Sequence, residues 1–400
     1  MDHPPARRRG AAAAGVVSDA ERLGLDAVDW LLVHEEPDDP TLYSGTAGVV
    51  LTLLEAHHHT GEQRYADEAE RRVDGLSGLD GGSLYFGQAG GALVQHAVRR
   101  DPLAALAAVR AAFDGERFEH WLDLLLGNAG VALTALALGD HQLAIDVLAP
   151  LPELAEPTSA GVIWQTRAGR EARLHHVSHG TLGVVMALVA VGAACGRADL
   201  VELGLAGAAD VVARDEAGPT GFLVPHSDPQ NLPDRVERYS FGWCHGPVGD
   251  AQAFRLLAAA TGDAAWSTLA ERCWTSVLGS GLPQRLRPGF WDNSGRCCGT
   301  AGVLALASDR RAELDDDPTF GRLLVADLER RAVRTSAGVC WRNTEHTAAQ
   351  PLLPSRSGWA MGNAGIAREL LRWTRVEAGG DPRYAVALPD QPVVGDGSPA

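Results

Sequence analysis

Polar and apolar positions along the chain sort into two kinds of segment. Asp19–Glu35, Glu62–Asp74, Arg197–Arg214, Ala264–Leu278 and Pro318–Val333 carry apolar residues on one helical face and charges on the other. Leu269, Cys273 and Val277 mark one such stripe, and Leu323, Leu324, Leu328 and Val333 another. The second kind is small and aliphatic nearly all round, as in Val49-Val50-Leu51-Thr52-Leu53-Leu54 and Val131-Ala132-Leu133-Thr134-Ala135-Leu136. That pattern predicts helices buried on every side.

Each all-apolar segment follows a Gly-x-x-Gly step, and the step recurs seven times, starting at Gly45, Gly87, Gly127, Gly180, Gly246, Gly299 and Gly362. Glycines three apart share a helix face, where the missing Cβ admits a neighbouring backbone. Each costs roughly 1 kcal/mol against Ala inside a helix, so their repetition signals a steric need. Pairing an amphipathic segment with each Gly step predicts an all-α fold. It is an α/α toroid of seven inner and seven outer helices, filling residues 19–376 as a single domain. Residues 1–18 read as a disordered tail and 377–400 as a mostly irregular one, disordered from Pro389. Repeat spacing widens before the fourth to seventh steps, where Gly161–Thr166, Leu282–Gly295 and Ala337–Ser357 predict short β-hairpin loops at one rim.

Composition narrows the function. The net charge of −16 repels phosphate backbones and anionic bilayers, so nucleic acid is not an expected partner. All 35 basic residues are Arg; the chain has no Lys, which removes Schiff-base chemistry and a phosphate-loop lysine. No apolar run is long enough to span a membrane, and Arg7-Arg8-Arg9 with its short Ala/Gly stretch is too weak for a signal peptide. Six Cys, two of them adjacent, make no disulfide framework and suit a reducing cytoplasm and a metal site.

The reactive residues fall at one offset from the repeat glycines. Asp123 lies four before Gly127, His179 one before Gly180, Cys244 two before Gly246, and Cys297 and Cys298 two and one before Gly299. Equivalent positions of successive repeats are neighbours around a ring, so these residues should converge at one mouth, at helix N-termini that favour thiolates. Three Cys there suggest one Zn²⁺ with an open fourth position. Cys195, Cys273 and Cys340 read as small buried hydrophobes. His245, next to Cys244, is a candidate ligand or a residue supporting the ligands. His175 and His176 read as structural, and His57-His58-His59 as a solvated helix end.

At these residues the sequence resembles the lanthionine synthetase C-like cyclases. The resemblance is carried by Leu42–Gly48, Asp123–Gly127, His179-Gly180, Trp243–Gly249, Cys297-Cys298-Gly299 and Gly362–Ile366. It implies an α/α toroid with one zinc that adds a peptide cysteine to dehydroalanine or dehydrobutyrine, giving lanthionine or methyllanthionine rings in a ribosomally made peptide. Cys244, Cys297 and Cys298 would be the ligands, Cys298 standing where the family's usual motif has His. His179 and Asp123 would be the acid–base pair. The family's Arg four residues before the first ligand corresponds here to Ser240, leaving Arg238 as the nearest arginine. The expected partners are a dehydrated precursor peptide and a separate dehydratase. Two rival readings keep the same site: glutathione addition to dehydroamino acids, and a zinc-stabilised binding scaffold without turnover. A prenyltransferase-like toroid is disfavoured by the missing lysines.

Overall fold

The computed structural model describes residues 18–34, 38–76, 79–113, 121–234, 236–284, 293–344 and 350–391. The expected N-terminal tail, apart from Ser18, and residues 392–400 lie outside them. Among the described residues, seven helices begin inside the seven Gly steps. These are α2 (Thr46–Thr60), α4 (Gln88–Arg99), α6 (Asn128–Ala137), α8 (Thr181–Cys195), α10 (Pro247–Thr261), α12 (Thr300–Leu314) and α14 (Asn363–Glu377). Seven more alternate with them: α1 (Asp19–Val33), α3 (Gln63–Val73), α5 (Pro102–Ala112), α7 (His141–Leu148), α9 (Ala198–Val212), α11 (Ala264–Gly279) and α13 (Thr319–Arg331). The first set packs side by side in a closed inner ring, α2–α4–α6–α8–α10–α12–α14 and back to α2. Each outer helix lies on the inner helix before it, and α1 completes the shell by packing on α14.

Turns from inner to outer helices are short, running from residues 61–62 to 315–318, whereas returns from outer to inner helices are long, as in 149–180 and 213–246. All the long returns therefore gather at the end where the inner helices start. Three antiparallel strand pairings sit on them: two hairpins, β1 (Ala155–Pro157) with β2 (Val162–Trp164) and β5 (Val333–Thr335) with β6 (Gly338–Cys340), and β3 (Arg173–Leu174) with β4 (Ser227–Asp228), which joins two successive returns. Residues 285–292 and 345–349, within two of the expected loops, lie outside the described residues.

A belt of backbone hydrogen bonds closes this rim. The residue two before each Gly step donates its N–H to the equivalent carbonyl of the next repeat: Tyr43 to Tyr85 (2.9 Å), Tyr85 to Leu125 (3.2 Å), Leu125 to Ser178 (3.2 Å) and Ser178 to Cys244 (3.2 Å). Cys244 continues to Cys297 (3.4 Å), Cys297 to Ala360 (2.8 Å), and Ala360 returns to Tyr43 (2.9 Å). The glycines make the belt possible. A Cβ on Gly90 would meet the carbonyl of Leu84 well inside 3.0 Å, and Gly130, Gly183, Gly249, Gly302 and Gly365 each stand in the same relation to the carbonyl six residues earlier. The steric need read from the sequence is thus real, and its partner is the turn of the same repeat.

Two expectations need correction. In α13 the buried stripe is Leu324 and Leu328, while Leu323 is exposed and Val333 has left the helix for a strand. The lumen is also not purely aliphatic. Later turns of α2, α12 and α14 point Glu55, Asp309, Arg368, Glu369 and Arg372 inward, and residues 381–391, without helix or strand, thread the lumen instead of hanging free. Arg372 bonds Asp309 (2.5 Å) and the Pro382 carbonyl (2.7 Å), Tyr384 donates to Glu369 (2.7 Å), and Glu55 accepts from the Ala385 N–H (2.9 Å). Asp390, fully buried, accepts from the Tyr85 hydroxyl (3.0 Å) and from Gln252. Charges tolerate this interior because each meets an opposite charge or a backbone group.

Candidate active site and metal centre

Cys244 and Cys297 occupy the belt position of adjacent repeats, and Cys298 follows at the next residue, so one repeat-to-repeat step brings all three sulfurs together. Their Sγ atoms lie within 4.8 Å of one another, 3.1 Å from Cys244 to Cys298 and 3.5 Å from Cys298 to Cys297. All three are buried. The crowding shares charge unequally. Thiol hydrogen bonds from Cys244 and Cys298 hold Cys297 well below the usual thiol range, and the same interactions push Cys244 and Cys298 well above it. A cation with metal–sulfur bonds near ~2.3 Å would relieve that competition, since each sulfur could then be a thiolate. Among the described residues these three form the one group of Cys, His, Asp or Glu that could hold a metal ion. Cys273 and Cys340 are buried and Cys195 half-buried, and none of them joins the cluster.

His179 stands on the turn before α8, beside this cluster. Its Nδ1–H donates to Asp123 Oδ2 at 2.7 Å. Asp123 is fully buried, and its other oxygen accepts the Leu126 N–H at 2.7 Å, which locks the carboxylate across its own turn. The pairing fixes the imidazole tautomer and leaves Nε2 facing outward from the pair. The structure thus brings together Cys244, Cys297, Cys298, His179 and Asp123, as their common offset implied.

His245 goes elsewhere. Its ring lies 4.1 Å from His226 and 5.7 Å from His179, with Nε2 3.4 Å from the Ser178 hydroxyl. Burial drives it well below the normal imidazole range, and it is absent from the metal-binding group. His176 donates from Nδ1 to both oxygens of Asp250 at 2.9 Å, deep in the wall. Arg238 is also not at the thiols. Its exposed guanidinium pairs with Glu216 and stacks on Tyr239, because residues 236–239 carry its side chain outward.

Sequence reasoning missed several neighbours. The Tyr43 hydroxyl donates to Cys297 Sγ at 3.5 Å, and burial raises its phenol well above the ordinary value. A cleft of about 300 Å³ opens beside it, lined by Asp39, Tyr43, Ser44, Arg356, Gly358, Met361 and Gly362. Trp121 lies 6.1 Å from His179, and Arg167 stacks on Trp121 at 4.7 Å. Tyr43 shares the offset that singled out the cysteines, so its place was legible; Arg167 sits in an insertion with no repeat to index it.

The fold is a toroid whose rim presents three converging thiols beside a His–carboxylate pair. More narrowly, the chain belongs to the lanthionine synthetase C-like family, whose pattern matches residues 36–216 and 230–325. Among solved structures it is similar to nisin cyclase, at 16% identity and a TM-score of 0.63, covering 91% of this chain and 97% of that one. The same fold recurs in an unsaturated glucuronyl hydrolase specific for heparin, with 10% identity, TM-score 0.50 and coverage of 91% and 98%. An inactive α-1,6-mannanase variant from Salegentibacter sp. gives 13% identity, TM-score 0.50 and coverage of 89% and 99%. These likenesses show the fold. No curated protein sequence matches the chain. No helix among the described residues is long and apolar enough to cross a membrane.

Proposed function

We propose that this protein is a zinc-dependent peptide cyclase. It adds a cysteine thiol to dehydroalanine or dehydrobutyrine in the same peptide, leaving a lanthionine or methyllanthionine ring. The observation that carries the reading is the meeting of three buried cysteine sulfurs with the His179–Asp123 pair at one rim. Cys244, Cys297 and Cys298 would hold one zinc ion, whose Lewis acidity supplies a deprotonated incoming thiol at neutral pH.

The chain's own residues do the rest. Asp123 orients His179 and stabilises its charged form, so Nε2 can hold a proton and deliver it to the α-carbon after the sulfur has reached the β-carbon. Tyr43 hydrogen-bonds Cys297 and, with the adjoining cleft, offers a face to the peptide. The belt holds these groups on rigid backbone, so the thiols and the proton donor keep their spacing without the substrate having to order them. The substrate is a precursor peptide already dehydrated by a separate enzyme.

The test is incubation of the zinc-loaded protein with a synthetic peptide containing one dehydroalanine and one cysteine. Cyclisation leaves the mass unchanged and removes the thiol that N-ethylmaleimide labels. A peptide that stays alkylatable while added glutathione is consumed would assign the chemistry to glutathione addition. A peptide that binds without losing its thiol would leave a scaffold.

A further inference from the structure

Arg167 is a cation without a partner in a protein that pairs its arginines closely. Its guanidinium makes no hydrogen bond and no ion pair among the described residues, and Nε is buried with nothing to bond. Nearby Arg173, on the same insertion, holds Glu156 through two bonds of 2.9 Å. Burial pulls Arg167 down from the ordinary guanidinium range, and the Asp123 charge only partly offsets it. A half-buried unpaired charge costs stability unless something else is meant to meet it.

Its placement says what that is. The Arg167 backbone is bridged to Trp121, the Leu122 N–H donates to the Thr166 carbonyl (3.0 Å), and the Thr166 hydroxyl donates to the His179 carbonyl (2.5 Å). One short strand end is thus clamped both to the turn carrying Asp123 and to the turn carrying His179. The guanidinium lies 4.7 Å over the Trp121 ring, which itself lies 6.1 Å from the His179 ring. Stacking fixes a guanidinium plane while leaving its N–H edge free. Among the described residues none occupies its donors.

We propose that Arg167 is a catalytic residue whose guanidinium holds the carbonyl oxygen of the dehydroamino acid and takes up the negative charge that arrives there. This rests on the cyclase reading above. When sulfur bonds the β-carbon, the Cα=Cβ electron pair shifts to make an enolate, with its charge on that oxygen. The proton held by His179 then goes to the α-carbon, and the pair returns to restore the carbonyl. One proton leaves the thiol and one arrives at carbon, so no oxidant or other reactant is needed. Arg suits the task because it stays charged and presents two N–H groups to one oxygen.

The experiment compares Arg167→Ala, Arg167→Lys and the wild type on the synthetic peptide, with zinc content measured on each. Removing one oxyanion donor lowers kcat by about 10²–10³. We expect that loss in Arg167→Ala, with KM and zinc unchanged and part of kcat restored by millimolar guanidinium chloride but not by equal sodium chloride. Arg167→Lys, which keeps the charge without the fork, should fall between. A kcat near wild type overturns the proposal. So does a loss that guanidinium never restores, or one confined to KM, which would make Arg167 a structural prop or a ground-state anchor. If Arg167→Ala does not fold, Arg167→Lys decides, since wild-type kcat in it overturns the role. A wild type that cyclises nothing fails the cyclase reading instead.

Discussion

Asp123→Asn is the sharpest probe of the acid–base pair, because the carboxylate's two oxygens have different obligations. Oδ1 accepts the Leu126 N–H and Oδ2 accepts the His179 Nδ1–H, each at 2.7 Å. Asparagine brings one oxygen and one NH₂. The backbone N–H of Leu126 cannot become an acceptor, whereas an imidazole can move its proton. The amide therefore keeps its oxygen on Leu126 and turns its NH₂ toward Nδ1, which forces the proton onto Nε2. The neutral ring survives this, but the imidazolium now faces a donor and loses its charged partner. A hydrogen bond to a charged group is worth about 1.5–3 kcal/mol, and 1.36 kcal/mol is a factor of ten in rate. The lost bond alone accounts for about 10- to 150-fold, and the wrong tautomer adds to it; the same exchange in a Ser-His-Asp triad costs about 10⁴. We expect kcat to fall by about 10² or more, with zinc content unchanged and stability within about 1 kcal/mol because the Leu126 bond is kept. The assay is single-turnover loss of alkylatable thiol on the zinc-loaded variant. A kcat within about threefold of wild type would show that Asp123 does not act through His179.

Replacing Cys244, Cys297 and Cys298 together by Ser should remove zinc from the purified protein, and metal analysis that still finds one ion per chain rules out the site. Cys298→His should leave zinc bound but slow cyclisation and narrow the range of ring sizes accepted, because one thiolate fewer makes the site less electron-rich; an equal rate across several peptides contradicts this. Gly90→Ala should destabilise by about 1–3 kcal/mol in chemical denaturation, as the new Cβ runs into the Leu84 carbonyl. Gly279→Ala, with nothing within 4 Å, should be neutral or stabilising by up to about 1 kcal/mol, so equal effects of the two changes would refute the close approach. Burial lowers His226 to about 3, so the folded protein keeps it neutral while the unfolded chain protonates it below about 6.5. Its contribution is therefore present above that pH and lost as pH falls toward 3, at about 1.4 kcal/mol per pH unit. In His226→Asn the acid limb of stability against pH should be shallower by one proton, and an unchanged slope would place a charged His226 in the fold.

The ring was legible because its steric demand repeats. Seven glycine pairs and the aliphatic runs behind them set the inner helices, and a shared offset assembled Asp123, His179 and the three cysteines before any coordinates. What the repeat did not index was not legible. Arg238 was attractive only by nearness in sequence to Cys244, yet its side chain turns out to Glu216. His245 sits one residue past the belt position, as His179 and Cys298 do, yet its ring joins His226 and Ser178 while the sulfur of Cys244 turns to the cluster. The lumen was misjudged because Glu55, Asp309 and Arg372 look like solvated charges on amphipathic turns, whereas Asp309 pairs with Arg372 and the 381–391 segment gives Glu55 and Arg372 backbone partners.

The belt also makes the rim a dial with interchangeable stops. Ser178 and Cys244 are joined by the same kind of bond, at 3.2 Å, as Cys244 and Cys297 at 3.4 Å. Backbone geometry therefore does not distinguish the pair of stops that carries thiols from the pair beside it; only the side chains do. A chelate could be rotated one stop by moving cysteines to 178 and 245 and withdrawing them from 297 and 298, while every helix stays where it is. Function on this scaffold is a matter of which stops are furnished, and the spare ones, at Leu125 and Ala360, are positions where a designer could mount a second chemistry to either side of the first.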